Sequence, residues 1–399
     1  MARINESQQF RALDRFQIEL PSWGFADTGT RFGKFFQPSA ASTVEEKFAD
    51  AGLCHQLTGI CPTVAVHVLW DFKPGQDPRD VVKLAKKHGV KIGSINPNVF
   101  QDQCYKLGSL CSPDASARKQ AFDHIADCIA LGKAVNSNLL SLWFADGTNY
   151  PGQDNIVRRK HDMQTALKKL HDKMPTGMTM LVEYKPFEPG FYHTDIADWG
   201  MSAFFAKHAG KQAKVLVDTG HHLPGCNIEH IVAFLLDENL LGGFHFNDRK
   251  YADDDLTLGS IDPFAAFRIF NVIAQHEFDT GKQAKIAYMV DQSHNLKNKI
   301  EASLGTVDMA QKLYLKAQLV DRKKLAAAQN KGDIVMAERC LVDAYETDVR
   351  DLLAEWRMSH DLPPDPVAEY RASGHQQRAA TERTAARKAR GEVQASSYA

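Results

Sequence analysis

Eight short runs of β-branched and aromatic residues recur between about Phe16 and Asn295, each separated from the next by a longer amphipathic stretch. They are FQIEL from Phe16, TVAVHVLW from Thr63, KIGSI from Lys91, NLLSLWF from Asn138, MTMLVEY from Met178, AKVLVD from Ala213, GGFHFN from Gly242 and KIAYMVD from Lys285. Nearly continuous apolar runs suit parallel strands buried on both faces. The stretches between them carry helix starts. Ser42 with Glu45 reads as a capping box. Asp77-Pro78 reads as an N-cap and first helical residue, with Gly89 ending that helix. Ser112-Pro113 and Asp262-Pro263 repeat the same start. Strand–helix alternation repeated eight times predicts an α/β chain folded as a (β/α)8 TIM barrel. The competing doubly wound sheet lacks its Gly-rich dinucleotide fingerprint after the first strand.

The pattern changes after the eighth run. Residues 1–296 form the barrel in this reading. Residues 297–372 form a C-terminal helical extension, interrupted by DLPPDP from Asp361. Residues 373–399 are Ala-, Arg- and Gln-rich and are expected to be a polar, disordered tail. The loop from about Gly24 to Gln37 is long and carries Phe25, Phe32, Phe35 and Phe36. It is expected to pack over an active site, its own or a neighbouring subunit's, or simply against its own barrel wall.

Charge sets limits on partners. The 399 residues hold 48 basic and 49 acidic side chains, a formal net charge of −1, which gives no reason to expect nucleic acid. No stretch approaches the roughly 20 apolar residues that span a bilayer, so no membrane is expected. The N-terminal MARINESQQFRALDRF has no apolar run of the secretory kind. Seven scattered cysteines without a C-x-x-C pair suit reduced thiols, hence a cytoplasmic setting, and argue against a cysteine-built zinc site.

Carboxylates and histidines collect where the predicted strands end, which in a barrel is one mouth. The fifth run ends in Glu183, with Lys185 two residues on and therefore on the same face. The sixth ends in Asp218, followed by His221 and His222; the seventh carries His245 and leads to Asp253, Asp254 and Asp255; the eighth ends in Asp291. One such acid would be an ordinary ion pair or helix cap. Four successive strand ends bearing Glu, Asp, His and Asp would repel strongly in a low-dielectric mouth unless a cation sits between them. Oxygen ligands with one or two imidazoles suit Mn²⁺, Mg²⁺ or Co²⁺, with Zn²⁺ also compatible. The ligands exceed one ion's needs. Glu183, Asp218, His245 and Asp291 can close one shell; His221, Asp253 and Asp255 can hold a second ion, with Asp218 bridging. A solvated Asp-rich loop is the plain alternative for Asp253 and Asp255.

The run Glu183-Tyr184-Lys185-Pro186-Phe187-Glu188-Pro189 resembles the E-x-K-P-x-E-P run of xylose isomerases, as do Asp218-x-x-His221 and Asp253-x-Asp255. Over a longer span, to about Gly374, the chain resembles L-rhamnose isomerases of the type found in pseudomonads and rhizobia. VDTGHHLPG from Val217, FHFNDRKYADDDLTLGSIDP from Phe244, VDQSHN from Val290 and DPVAEYRASG from Asp365 carry that likeness. The resemblance implies a homotetrameric enzyme with two divalent ions, usually Mn²⁺. Glu183, Asp218, His245 and Asp291 would bind the structural ion, and Asp218, His221, Asp253 and Asp255 the catalytic one. Lys185 would donate to the sugar carbonyl oxygen.

The chemistry agrees. Aldose–ketose conversion moves hydrogen between C1 and C2, and two oxygens must be polarised together; cations and an ammonium do that. A metal-bound water or hydroxide near Asp253 and Asp255 is expected to shuttle the hydroxyl proton. His67, with Asp71 four residues on, is the candidate that opens the sugar ring, following a similar ring-opening histidine in the resembled families, or else a core histidine. Trp143 is a candidate apolar wall, or else plain core. The monosaccharide is thus expected to touch His67, Trp143, Lys185, Glu183 and His221. The reading is L-rhamnose to L-rhamnulose, with side activity on other aldoses. A ketose 3-epimerase would need a second glutamate where Asp291 stands. An endonuclease IV-like nuclease would want more histidines and a basic surface, and a non-catalytic sugar binder would need neither the ligand set nor Lys185.

Overall fold

The structure, a computed structural model, describes residues 6–30, 33–187, 193–251 and 254–392. Eight parallel strands pair in sequence order: β1 Leu20–Pro21, β2 Thr63–His67, β3 Lys91–Asn96, β4 Leu139–Leu142, β5 Thr179–Glu183, β6 Ala213–Asp218, β7 Leu241–Phe246 and β8 Ala287–Val290. Each of the eight apolar runs supplies one of them. Glu19 closes the ring: its N–H donates to the Tyr288 carbonyl (2.8 Å) and its carbonyl accepts from Val290 N (2.9 Å). The Glu19 side chain also crosses to β3, where Oε1 accepts from the N–H (3.0 Å) and hydroxyl (2.6 Å) of Ser94. A Cβ on Gly93 would lie 1.5 Å from Glu19 Oε2, so only glycine leaves room for this strut.

Period-two alternation sorts the side chains. Along β7, Phe244 and Phe246 face the outer helices, stacking with Tyr288 and Phe270, while His245 between them faces the barrel axis. Leu181, Leu216 and Met289 form a small buried cluster separate from the main core. The mouth's polar groups thus stand above a dry plug.

Several local readings shift. The first strand is only two residues long, and the run from Thr63 is a strand only to His67. Val68–Asp71 is a helical turn because Asp71 Oδ2 accepts from the His67 backbone N–H (3.0 Å), folding the chain back. The capping box ahead of helix Val44–Thr58 is Thr43 with Glu46, one residue later than Ser42 with Glu45. Glu45 instead pairs with Lys87 (2.6 Å). Asp114, not Ser112, caps the helix Ala115–Ala134. Asp77-Pro78 and Asp262-Pro263 start helices as read.

The extension contains helices Lys299–Gln318, Arg322–Lys331, Ile334–Glu346, Arg350–Ser359 and Pro366–Ala372. The stretch expected to be a disordered tail differs: His375–Ala389 is a helix. Its composition is poor in apolar groups, but its arginines find buried partners. Arg383 pairs with both oxygens of Asp50 (2.8 and 2.5 Å), and Arg387 pairs with Asp27 (2.9 Å). The long first loop forms a hairpin, Thr28–Thr30 against Gly33–Phe35. Phe25 is core, Phe35 is 50% exposed, and Phe32 lies outside the described residues. No helix among the described residues is long and apolar enough to cross a membrane.

Candidate metal centre and sugar pocket

Four strand ends deliver one cluster. Glu183 ends β5, Asp218 ends β6, His245 is the penultimate residue of β7, and Asp291 follows β8. One ligand atom from each lies within 4.8 Å of all the others. His245 Nδ1 is 3.3 Å from Glu183 Oε1, 3.8 Å from Asp291 Oδ2 and 3.9 Å from Asp218 Oδ2. Glu183, Asp218 and His245 side chains are at most 3% exposed; Asp291 is 24% exposed.

Three carboxylates at this spacing repel by about 4 kcal/mol per pair at an effective dielectric near 20. That sum approaches the whole stability of a domain, so the charge must be compensated. Protonation supplies part of it. Burial opposes charge on His245, yet Glu183, Asp291 and Asp218 outweigh it and hold the imidazole above its ordinary range. Burial pushes Glu183 up, but His245 and His221 outweigh it and hold that carboxyl low. Burial holds Asp218 above the usual carboxylate range, with Glu183 and Asp291 adding to it against His221 and His245. Compensation by a divalent cation would remove the conflict. The donor set, three carboxylates and an imidazole, fits one.

Neighbouring groups orient the donors. Asn247 donates from Nδ2 to Asp218 Oδ1 (3.0 Å) and Oδ2 (3.2 Å), and Gly220 N–H donates to Oδ1 (2.7 Å). The Trp23 indole N–H donates to Asp291 Oδ1 (2.8 Å). Such partners aim ligands. The sequence reading missed both. Asn247 sits two residues beyond His245 on the same face, a signal available in principle; Trp23 lies in a single 3-10 turn, Ser22–Phe25, too short for spacing to say anything about partners.

His221 adjoins the cluster through Asp218. Its Nδ1 is 3.0 Å from the Tyr184 carbonyl oxygen and 3.2 Å from Glu183 Oε1, and its Nε2 is 4.0 Å from Asp218 Oδ2. Of the aspartate triplet, Asp253 lies outside the described residues. Asp254 turns to its own loop, accepting from the N–H groups of Lys250 (2.6 Å) and Tyr251 (2.9 Å). Asp255 follows in a left-handed conformation (φ 46°).

An aromatic wall flanks the cluster. The His67 ring lies 4.7 Å from Trp23, 4.1 Å from Trp70 and 5.8 Å from Phe100, centroid to centroid. Phe100 in turn meets Trp143 at 5.1 Å. Lys185 Nζ stands 5.3 Å over the Trp143 ring, and the Lys185 side chain is buried. Among the described residues, His67 Nδ1 and Trp143 Nε1 are buried without a hydrogen-bond partner, an arrangement native interiors keep rare unless a ligand or water supplies the partner. Asp71 is not a partner of the His67 ring. Its carboxylate accepts from the His67 backbone, Ser22 Oγ (2.6 Å) and Lys47 Nζ (2.6 Å), a local structural role that the i, i+4 spacing alone did not distinguish.

Fold and site together define a (β/α)8-barrel protein with a donor set for a divalent cation at its C-terminal mouth. The chain belongs to the xylose isomerase-like TIM barrel family, matched over residues 61–286. It is 40% identical over 378 residues to a probable sugar isomerase of Mesorhizobium japonicum, covering 94% of this chain and 87% of that protein. It is 39% identical over 378 residues to a probable sugar isomerase of Rhizobium meliloti, covering 93% and 87%. In fold alone it also resembles the IOLI protein crystallised with a zinc atom, with a TM-score of 0.51 at 12% identity, covering 76% of this chain and 98% of that one.

Proposed function

We propose that the chain is a metal-dependent aldose–ketose isomerase, with L-rhamnose as its principal substrate and L-rhamnulose as product. The observation that carries the reading is the meeting of Glu183, Asp218, His245 and Asp291 at one point of the mouth; Lys185, two residues past Glu183, has its ammonium over Trp143. The likeness to two probable sugar isomerases supports it. Mn²⁺ is the proposed metal, two ions per subunit, and a homotetramer the proposed assembly. Bound cations would supply Lewis acidity to the sugar oxygens.

The chain's own residues do the rest. Glu183, Asp218, His245 and Asp291 would hold one ion; His221, Asp253 and Asp255, with Asp218 shared, the other. The Lys185 ammonium donates to the carbonyl oxygen as negative charge develops there. His67 presents Nδ1, which has no hydrogen-bond partner among the described residues, to the ring oxygen or anomeric hydroxyl for ring opening. Asp253 and Asp255 carry the hydroxyl proton. Trp143 and the rings around His67 cover the sugar's apolar face and exclude water. A ketose 3-epimerase on the same barrel is the second reading; Asp291 at the end of β8, where that chemistry asks for glutamate, disfavours it. A panel of aldoses assayed for ketose formation tests the substrate: L-rhamnose should give the highest kcat/KM. A tenfold or greater preference for another aldose would replace the substrate, though not the reaction class.

A further inference from the structure

Tyr184 occupies the position between a metal-ligand candidate, Glu183, and the candidate oxyanion donor, Lys185. Two of its polar groups, the carbonyl and the phenol, reach the loop that follows β6. Its carbonyl oxygen faces His221 Nδ1 at 3.0 Å. Its hydroxyl is hydrogen-bonded to His222 Nε2 at 2.7 Å, and the two rings meet edge to face at 5.3 Å and 86°. Tyr184 is 2% exposed and His222 5% exposed, so the contact is dry. Gly220 completes the loop's anchoring, its N–H on Asp218 Oδ1 and its Cα beside Asn247, where a Cβ would come within 2.6 Å of Oδ1. The residue just past β5 thus grips two consecutive histidines of the β6 loop from opposite ends of its own structure, main chain and phenol.

We infer that Tyr184 is a positioning residue that sets the His221 imidazole for the second ion. The carbonyl fixes the His221 tautomer with the proton on Nδ1, which leaves Nε2 as the ligand atom. The phenol holds His222, and through the adjoining peptide fixes the backbone angle from which His221 projects. The first ion's donors keep holds outside this loop: Asp218 on Asn247, Asp291 on Trp23, and Glu183 and His245 on their strands, although His221 Nδ1 also lies 3.2 Å from Glu183 Oε1. The inference rests on the two-ion reading of the site, and its signature is selective. Losing the phenol hydroxyl should weaken one ion and spare the other.

The test uses the purified full chain, stripped with a chelator and titrated with Mn²⁺ by calorimetry, in parallel with steady-state kinetics. Tyr184→Phe should lower the affinity of the weaker ion about tenfold or more, the range typical for lost partners of metal ligands, with the tighter ion unchanged. Its kcat should fall at limiting Mn²⁺ and recover at excess Mn²⁺, with KM for the sugar little altered. His222→Phe should give the same selective loss, and the double variant no more than either alone. Equal weakening of both ions, no weakening of either, additive losses, or a wild type that binds a single ion would each overturn the proposal. A wild type that binds two ions with the expected selectivity but isomerises no aldose would leave the clamp standing and remove the functional reading instead.

Discussion

Lys185 and Glu183 share a face of the barrel wall because they are two residues apart on an extended strand end. That spacing made both visible in the sequence, as it did Asp218, His245 and Asp291 at successive strand ends. Contacts that depend on loop geometry were not visible. Nothing in the run SWGF shows that Trp23 would donate to Asp291, and His67 and Asp71 share a backbone bond rather than a ring contact. Lys185→Ala should lower kcat at least about tenfold, because it removes a donor to the developing oxyanion. Metal content, measured by elemental analysis, should stay near wild type; unchanged turnover would assign Lys185 to structure. A pH prediction follows from His222. Burial lowers it to about 3, with Arg249 and His221 adding. Its folded pKa lies below the unfolded value, so between about 6.5 and 3 the unfolded chain binds the extra proton. Stability of the metal-free protein should therefore fall as pH drops through that window, by up to about 1.4 kcal/mol per pH unit from this residue. Denaturant titrations of wild type and His222→Phe at pH 7, 6, 5 and 4 should show a shallower slope in the variant. Identical slopes would mean that His222 takes up its proton in the folded state.

At the scale of elements, hydrophobic period and capping residues disclosed the alternation, because buried parallel strands must be apolar throughout. Exact caps slipped by a residue or two where adjacent Ser, Thr and Asp offered equivalent starts, as at Ser42-Thr43 and Ser112-Asp114. The C-terminal helix was illegible for a different reason. Its residues look solvated because they are polar, yet Arg383 and Arg387 are largely buried against Asp50 and Asp27. Only tertiary pairing distinguishes a docked arginine from a free one. Asp27 also accepts from Gln37 N–H (2.7 Å), so this helix braces the base of the hairpin, just past the turn that carries Trp23 and its bond to Asp291. Arg383→Ala should destabilise the fold by about 3–5 kcal/mol, since it leaves the Asp50 carboxylate buried and unpaired. Adding Asp50→Asn should recover part of the loss. Denaturation midpoints of the two variants decide it, and a single-variant loss under about 1 kcal/mol would mean that water reaches Asp50.

For the whole molecule, a barrel gathers residues from distant parts of the sequence at one mouth, here Trp23, His67, Trp143, Lys185, Asp218, His245 and Asp291. Topology alone thus turns a list of strand ends into a site. The fold leaves the chemistry open, since a barrel of this kind hosts many reactions, and aldose–ketose isomerisation and ketose epimerisation are the two weighed for this site. The two reactions differ in which carbons exchange hydrogen, and that difference can be watched directly. L-rhamnulose would be incubated with the metal-loaded protein in D2O and followed by NMR. The account predicts that L-rhamnose accumulates, recognised by its anomeric C1 proton signals, and that a chelator stops its formation until Mn²⁺ is returned. Accumulation of the C3-epimeric ketose in place of an aldose, or aldose formation indifferent to the chelator, would contradict it.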